Sequence, residues 1–266
     1  GFWGRSLTEG SDPPPSLELE RLFQLANTLL KHEIVDLCHP ELVKQVKQRA
    51  AAPQQWHLKP SNIDGNIINA HVNTEQAWQI SMGENITIAV IDDGIDISHE
   101  EFSSNGKIVA PRDATLNSND PYPKSNSDNH GTACAGVACA DGNHGASGVA
   151  PKSKLMPIRL RSGLGSQAEA DAFEWAVDFG ADVISCSWGP ADGEWWNADD
   201  NTHNTFVGLP DSTRLAIDYA INTGRGGKGC VIIWAAGNGN ENVENDGYAS
   251  YDKVIAVGAC NDRNTR

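Results

Sequence analysis

The chain has 266 residues, of which 39% are hydrophobic, and a formal net charge of −15. That length holds one large α/β domain with a small appendage. The acidic balance speaks against nucleic acid and anionic membranes as partners and favours basic ligands. No run approaches the roughly 18 apolar residues of a membrane span.

Residues 1–15 are rich in Gly, Pro and Ser and read as a linker or frayed end. Over residues 17–31, Leu22, Leu25 and Leu29 recur at helical spacing, with Phe23, Ala26 and Leu30 widening the face. Residues 34–38 then read as a short strand, closed by His39-Pro40. A basic and then alanine-rich stretch, 44–53, marks a boundary between an N-terminal extension (1–49) and the main domain (50–266). From Gln54 onward apolar strands alternate with helices. Strands are predicted at 86–91, 154–159, 183–186, 231–235 and 253–257, and helices at 74–79, 130–140, 166–179 and 213–222. This alternation predicts an α/β fold whose parallel sheet is covered on both faces. Such sheets gather functional groups at the C-terminal ends of their strands, where Asp92, Ser187 and Asn238 fall. The six cysteines, Cys38, Cys134, Cys139, Cys186, Cys230 and Cys260, form no Cys-x-x-Cys pair and lie mostly within predicted elements. They read as buried free thiols.

Three motifs carry chemistry. Ile88-Ala89-Val90-Ile91-Asp92-Asp93-Gly94 delivers a carboxylate at the end of a buried strand. His130-Gly131-Thr132-Ala133-Cys134-Ala135-Gly136 opens a helix of small residues with an imidazole. Trp234-Ala235-Ala236-Gly237-Asn238-Gly239 follows a strand and offers a side-chain amide. A serine nucleophile needs a base for its proton and an acid to orient that base, and Asp-before-His-before-Ser is a known order. No Gly-Thr-Ser-like frame follows, so a nucleophilic serine would lie outside these residues.

On these motifs the chain resembles a subtilisin-like serine protease of the kexin/furin (proprotein convertase) branch, as a bacterial-type, calcium-dependent member. Pro53-Gln54-Gln55-Trp56-His57-Leu58 is similar to the branch's mature start, Ser187-Trp188-Gly189-Pro190 to its substrate-binding strand, and Gly224-Arg225-Gly226-Gly227-Lys228-Gly229 to its helix-to-strand turn. The resemblance runs from about Pro53 to Gly258. It implies a three-layer subtilisin-like fold, a central parallel sheet flanked by helices, incomplete without the segment after residue 266. It also implies an endopeptidase cleaving after Arg or Lys, in which Asp92 orients, His130 moves the proton and Asn238 holds the oxyanion.

The resemblance assigns substrate binding to several further residues. Asp192 and Asp246 match the first specificity pocket, Asp93 and Asp128 acids for the second position, and Glu174 an acid for the fourth. The Ser187-Trp188-Gly189 backbone pairs with the substrate as an added strand. Calcium is implied as cofactor, with Asp113 and Asp120 flanking one loop and Asp192 sharing another site with Glu244 or Glu241. In the subtilisin calcium loop Glu101 matches the carboxylate, but His144 replaces an asparagine ligand in a shortened loop, and imidazole suits a hard cation poorly. That site is expected to be absent or altered.

Residues 16–45 resemble the second half of an inhibitory prosegment, or else form a simple helical extension. Lys47-Gln48-Arg49 suits self-cleavage after arginine, as in a zymogen. The ending at Arg266 suggests a nick after arginine, with the serine on an associated C-terminal fragment, or else a plain truncation. Two alternatives stay open: a catalytically dead binding scaffold, and a cysteine hydrolase using Cys134. Calcium in relatives points to an extracytoplasmic or periplasmic home, whereas free thiols point the other way.

Overall fold

The structure is a computed structural model and describes residues 55–161 and 163–265. The expectations for residues 1–49, Pro53-Gln54 and Arg266 lie outside the described residues. A small antiparallel hairpin comes first, β1 (Ser61–Ile63) with β2 (Asn66–Ile68). Asp64 and Gly65 turn it at φ 51° and 84°, the positive pair that an Asp-Gly hairpin turn requires. A single helical turn, α1 (Thr74–Ala77), leads to the sheet.

Six strands form that sheet: β3 (Thr87–Asp92), β4 (Arg112–Asp113), β5 (Lys154–Arg159), β6 (Val183–Cys186), β7 (Val231–Ala235) and β8 (Ile255–Val257). Their order is β4-β5-β3-β6-β7-β8, and every pairing is parallel. The helices are α2 (His130–Cys139), α3 (Gln167–Asp178) and α4 (Asp211–Gly227), the last leaving helical dihedrals at Gly224, Arg225 and Gly226. The hairpin strands β1 and β2 and the two-residue β4 are additions to the predicted set.

Why the sheet takes this form is visible in β3, whose six residues are all buried. Ile88 and Val90 pack with Ala135 and Cys139 of α2 on one face. Ala89 and Ile91 pack with Phe173 and Ala176 of α3 and Ile217 and Ala220 of α4 on the other. A strand with period-2 side chains and apolar cover on both sides has no use for polar residues until it ends. The sheet is thus the middle of three layers, and its polar groups appear at its C-terminal edge. The start of α3 follows a capping-box pattern: the Glu169 amide donates to Ser166 Oγ, and Glu169 Oε2 accepts from the Gly165 amide at 2.7 Å.

The strand ends are tied together by two indoles. Trp188 Nε1 donates to the Ile91 carbonyl at 2.9 Å, and Trp234 Nε1 donates to the Trp188 carbonyl at 2.6 Å. The two rings meet edge to face, 4.7 Å apart. This fixes the ends of β3, β6 and β7 relative to one another in the direction where chemistry needs precision.

The contact between α2 and the end of β3 is tight. A Cβ on Gly131 would lie 2.5 Å from the Gly94 carbonyl oxygen and 2.8 Å from Asp92 Cβ. Gly131→Ala is therefore expected to destabilise the protein by about 1–3 kcal/mol, the usual cost of overpacking. Urea unfolding of the variant against the parent measures it.

Candidate active site

Asp92 ends β3 at 4% exposure. Its Oδ1 and Oδ2 lie 2.9 and 3.0 Å from His130 Nδ1, and Oδ1 also accepts the Asp93 amide at 2.8 Å. Burial pushes the Asp92 carboxyl above its ordinary range, against the pull of those bonds. The His130 ring is also raised, first by its bond to Asp92 and in spite of burial. Because both oxygens face one nitrogen, we read an ionised carboxylate accepting the Nδ1 proton. The ring itself is 55% exposed, so its far side is open to a reactant.

Three residues of the helix start are explained by this contact. Asn129, the N-cap of α2, gives no side-chain bond. Asp93 does that work instead, its Oδ1 accepting the Gly131 amide at 2.8 Å and Oδ2 the His130 amide at 3.3 Å. A carboxylate belongs at a helix N-terminus. Gly131 permits the close approach, and Thr132 Oγ1 accepts the Asp96 amide at 2.9 Å. So Asp93, read from the sequence as a substrate acid, is engaged in seating the histidine helix.

Cys134 Sγ is 3.7 and 3.8 Å from the two ring nitrogens of His130. Its thiol is pushed up to about 11 by burial and then by the Asp92 charge. A thiol so held is not activated as a nucleophile, so this geometry gives the cysteine-hydrolase alternative no support. Among the described residues all five cysteines are free; Cys260 is exposed, contrary to the buried expectation, because it lies beyond the sheet in the terminal loop.

The remaining acids divide. Asp246 is half-buried, with Oδ1 accepting the Tyr248 and Ala249 amides at 2.8 and 3.2 Å. Its Oδ2 side faces Gly189, where an added Cβ would lie 3.1 Å away. Burial raises this carboxyl above two backbone bonds that lower it, and the Asp192 charge adds to the rise. Exposed Asp192 accepts the Asn238 amide at 2.7 Å and leaves Oδ1 against Gly237. The structure thus brings Asp192, Asp246, Gly189 and Asn238 to neighbouring strand ends. Asn238 itself is exposed, and its side-chain amide makes no hydrogen bond among the described residues.

Asp128 is different. It is 3% exposed and lies 3.9 Å from both the Arg159 and the Arg161 guanidinium groups. Among the described residues Glu174 makes no hydrogen bond or ion pair with the other predicted site residues. It sits exposed on α3, seven residues from the helix start or about 10 Å along the axis, as the helix runs back toward the start of β6. Its charge falls instead near Tyr219, whose hydroxyl bonds Asp178.

The expected calcium loops have partners of their own. Glu101, 3% exposed, accepts the Asn143, His144 and Ala146 amides at 3.0, 2.9 and 2.7 Å. The loop therefore turns donors, not carbonyls, toward the carboxylate. Asp113 is wholly buried and bonds Arg159 Nη1 at 2.9 Å, while Asp120 bonds Lys124 at 2.6 Å. Glu244 is exposed; Glu241 accepts the Gly193 amide at 2.5 Å and pairs with His203 Nδ1 at 3.0 Å.

Sequence reading missed Arg159, His203 and Gln55 as organisers. Arg159 passed as a strand end, although an arginine closing an apolar strand demands buried acids. His203 stands in a polar loop with no motif. Gln55 tethers the shortened loop through Ser147, donating to its carbonyl at 2.8 Å and accepting from its amide at 3.0 Å; its place 92 residues away gave no local signal.

The sign of the His130 shift sets a pH test. Since the folded value is raised, the pair's contribution to stability is complete below the ordinary imidazole value of about 6.5. It is lost as pH climbs through the folded value. NMR titration of the His130 ring should give a midpoint above the ordinary value, and Asp92→Asn should bring it down.

Comparison with known proteins agrees with this geometry. The model of the subtilase family (Peptidase_S8) matches residues 83–266. A "Calcium-dependent protease" of Trichormus variabilis is 66% identical over 245 residues, 92% of this chain and 37% of that protein. One from a Nostoc species is 65% identical over 253 residues, covering 95% and 38%. Proprotein convertase subtilisin/kexin type 7 of Mus musculus is 33% identical over 92% of this chain and 32% of its own length. The chain thus spans less than two-fifths of these relatives. Fervidolysin from Fervidobacterium pennivorans, a keratinolytic enzyme related to subtilisin, superposes with a TM-score of 0.50 at 27% identity, over 68% of this chain and 26% of that one. With its dyad on the edge of a parallel sheet and its sequence matched through both catalytic motifs, the chain belongs to the subtilase family, peptidase S8.

Proposed function

We infer that this chain supplies the acid–base and substrate-reading groups of a serine endopeptidase that cuts after arginine or lysine. The observation that carries the reading is the buried Asp92 carboxylate with both oxygens within 3.0 Å of His130 Nδ1. A serine hydroxyl from the remainder of the protein gives its proton to His130 Nε2 as it attacks the peptide carbonyl. Asp92 holds the ring in the tautomer that accepts there and stabilises the imidazolium that forms. The Asn238 side-chain amide, without a hydrogen-bond partner among the described residues, donates to the oxyanion. His130 returns the proton to the leaving amine, and water, activated by the same ring, clears the acyl-enzyme. The scaffold alternative lacks an observation of this kind, since a groove without chemistry gives no reason to bury a carboxylate against an open imidazole.

Specificity follows from Asp192 and Asp246. A guanidinium or ammonium leaving water needs carboxylates that have been held ready for it. Asp246 is raised by burial and by its acidic neighbour, so an arriving cation relieves both. Asp246→Asn is expected to cost about 2–5 kcal/mol of transition-state binding, roughly 30-fold or more in kcat/KM, on arginine peptides. The assay is hydrolysis of fluorogenic peptides differing only in Arg, Lys or Ala before the cut. Equal losses on the Ala peptide would sink the pocket assignment.

Two relatives carry calcium dependence in their names, and we assign the ion here to the Asp192 side of the cleft. The donor sets support this. Glu101 is already met by three amides, and Asp113 and Asp120 by the chain's own cations. Asp192 is exposed, and Glu241 takes both its partners, the Gly193 amide and His203, on Oε1 and leaves Oε2 for a hard cation. When bound, the ion supplies fixed positive charge that orders those acids; Glu241, set against Gly193 and Gly239, fits better than exposed Glu244. Chelation should lower Tm, and Glu241→Gln should shrink that calcium-dependent difference while Glu101→Gln leaves it in place. Differential scanning calorimetry with and without chelator reads both.

A further inference from the structure

Two demands on Asn238 conflict. To meet an incoming oxyanion its side-chain amide has to stay unbonded, and it is exposed, with no hydrogen-bond partner among the described residues. Its backbone is held in place, the Asn238 amide donating to Asp192 Oδ2 at 2.7 Å. The next residue is forced to be glycine, because a Cβ on Gly239 would run into the Glu241 carboxylate. The Gly239 amide makes no hydrogen bond among the described residues, an uncommon state for a buried backbone donor. A freely turning carboxamide thus precedes a backbone nitrogen that neither a partner nor a side chain of its own shields.

The neighbouring Asp-Gly pairs are better protected. After Asp192, the Gly193 amide is bonded to Glu241 Oε1 at 2.5 Å. After Asp246, the Gly247 amide is bonded to the Val207 carbonyl at 2.8 Å. Asn105-Gly106 lies inside a closed turn, where the Lys107 amide donates to the Ser104 carbonyl at 3.0 Å.

We propose that Asn238-Gly239 is a site of spontaneous deamidation, a chemical clock set on the oxyanion donor. Asparagine is a thermolabile residue, and glycine after it leaves the backbone unhindered. The Gly239 nitrogen loses its proton to hydroxide and attacks Asn238 Cγ. The new C–N bond closes a succinimide, the C–N bond of the carboxamide breaks, and ammonia leaves with a proton taken from water. Water then opens the ring at either carbonyl, giving aspartate or, with the main chain rerouted through Cγ, isoaspartate. Nothing is oxidised, and water is the only co-reactant. Only the consequence rests on the proposed function: both products put a carboxylate where the donor stood, next to Asp192, and a carboxylate repels the oxyanion it replaces a donor for.

The test ages the full-length protein in calcium-saturated buffer at neutral and mildly alkaline pH. Samples are digested with an unrelated protease and read by peptide mass, with isoaspartate read by an isoaspartyl methyltransferase. Asn238 should convert faster than Asn73, whose Nδ2 is bonded to Gln76 and which Thr74 follows, and the rate should climb with pH. A His130→Ala protein, unable to digest itself, should convert at the same rate. Conversion at Asn238 no faster than at Asn73 would overturn the site. Hydrolysis of an arginine peptide should fall in step with conversion at Asn238 and not with conversion at Asn105. Asn238→Asp, made directly, should lower kcat by about 10²–10³ with KM little changed, as losing one oxyanion donor does. Activity that persists after Asn238 has converted would overturn the clock. Conversion at Asn238 in a protein without peptidase activity would uphold the site and overturn the function above.

Discussion

A carboxylate at the end of a strand covered on both faces cannot be left to water. Asp92 is in that position, and an isolated charge there would neutralise rather than persist. The imidazole 2.9 Å away and the following amide are what keep it ionised. Other features of the site are arranged around that pairing: a glycine where a Cβ would block the helix, a threonine that accepts from the Asp96 amide, and a second aspartate that caps the helix in place of Asn129. The register makes this selective. Arg159 lies beside Asp92 across the β5 pairing and could have met its charge outright. Its guanidinium goes instead to Asp113 and toward Asp128. Were it to pair with Asp92, the carboxylate would be satisfied by a permanent cation and the imidazole would lose the partner that raises it.

The acids near the cleft are therefore unequal despite similar places in the sequence. Asp93, Asp128 and Asp113 lie close to the dyad in sequence or sheet, yet their oxygens serve helix amides or arginines. Asp192 and Asp246 keep an oxygen facing glycines at the strand ends. Glycine there matters for its missing side chain, since a Cβ would lie 2.4 Å from Asp192 Oδ1 or 3.1 Å from Asp246 Oδ2. In a chain of net charge −15, acidity alone discriminates nothing; the discriminating quantity is which carboxylate oxygens the protein's own donors have left over.

Much of this was legible before the structure. Unbroken apolar runs such as Ile88-Ala89-Val90-Ile91 declare a doubly covered strand, and Ser166 with Glu169 declares a helix start, because each signal is local. The two-residue β4 has no such signal; it exists only because β5 offers an edge to pair with. The hairpin at Ser61–Ile63 was marked by Asp64-Gly65, but strands of three residues are too short to show a period. The helix-seating role of Asp93 was hidden for the same reason: the amides it accepts come from 37 and 38 residues later. Sequence proximity identified the acid, whereas its duty was set by a tertiary contact.

The shortened loop at 141–147 shows how a metal's task passes to the backbone. Asp141 and Ser147 bridge across its base, Gln55 clamps Ser147 from both sides, and Glu101 gathers three amides. An ion orders a loop by drawing carbonyls inward; here the carboxylate orders it by drawing amides, and the two arrangements are exclusive because the backbone would have to turn over to exchange them. Glu101 is nearly inaccessible, so turning the loop would strand a buried carboxylate until a cation arrived. A fold built this way orders that loop through its own amides. The calcium proposed above is assigned instead to the loops around Asp192, where Glu241 accepts the Gly193 amide and pairs with His203.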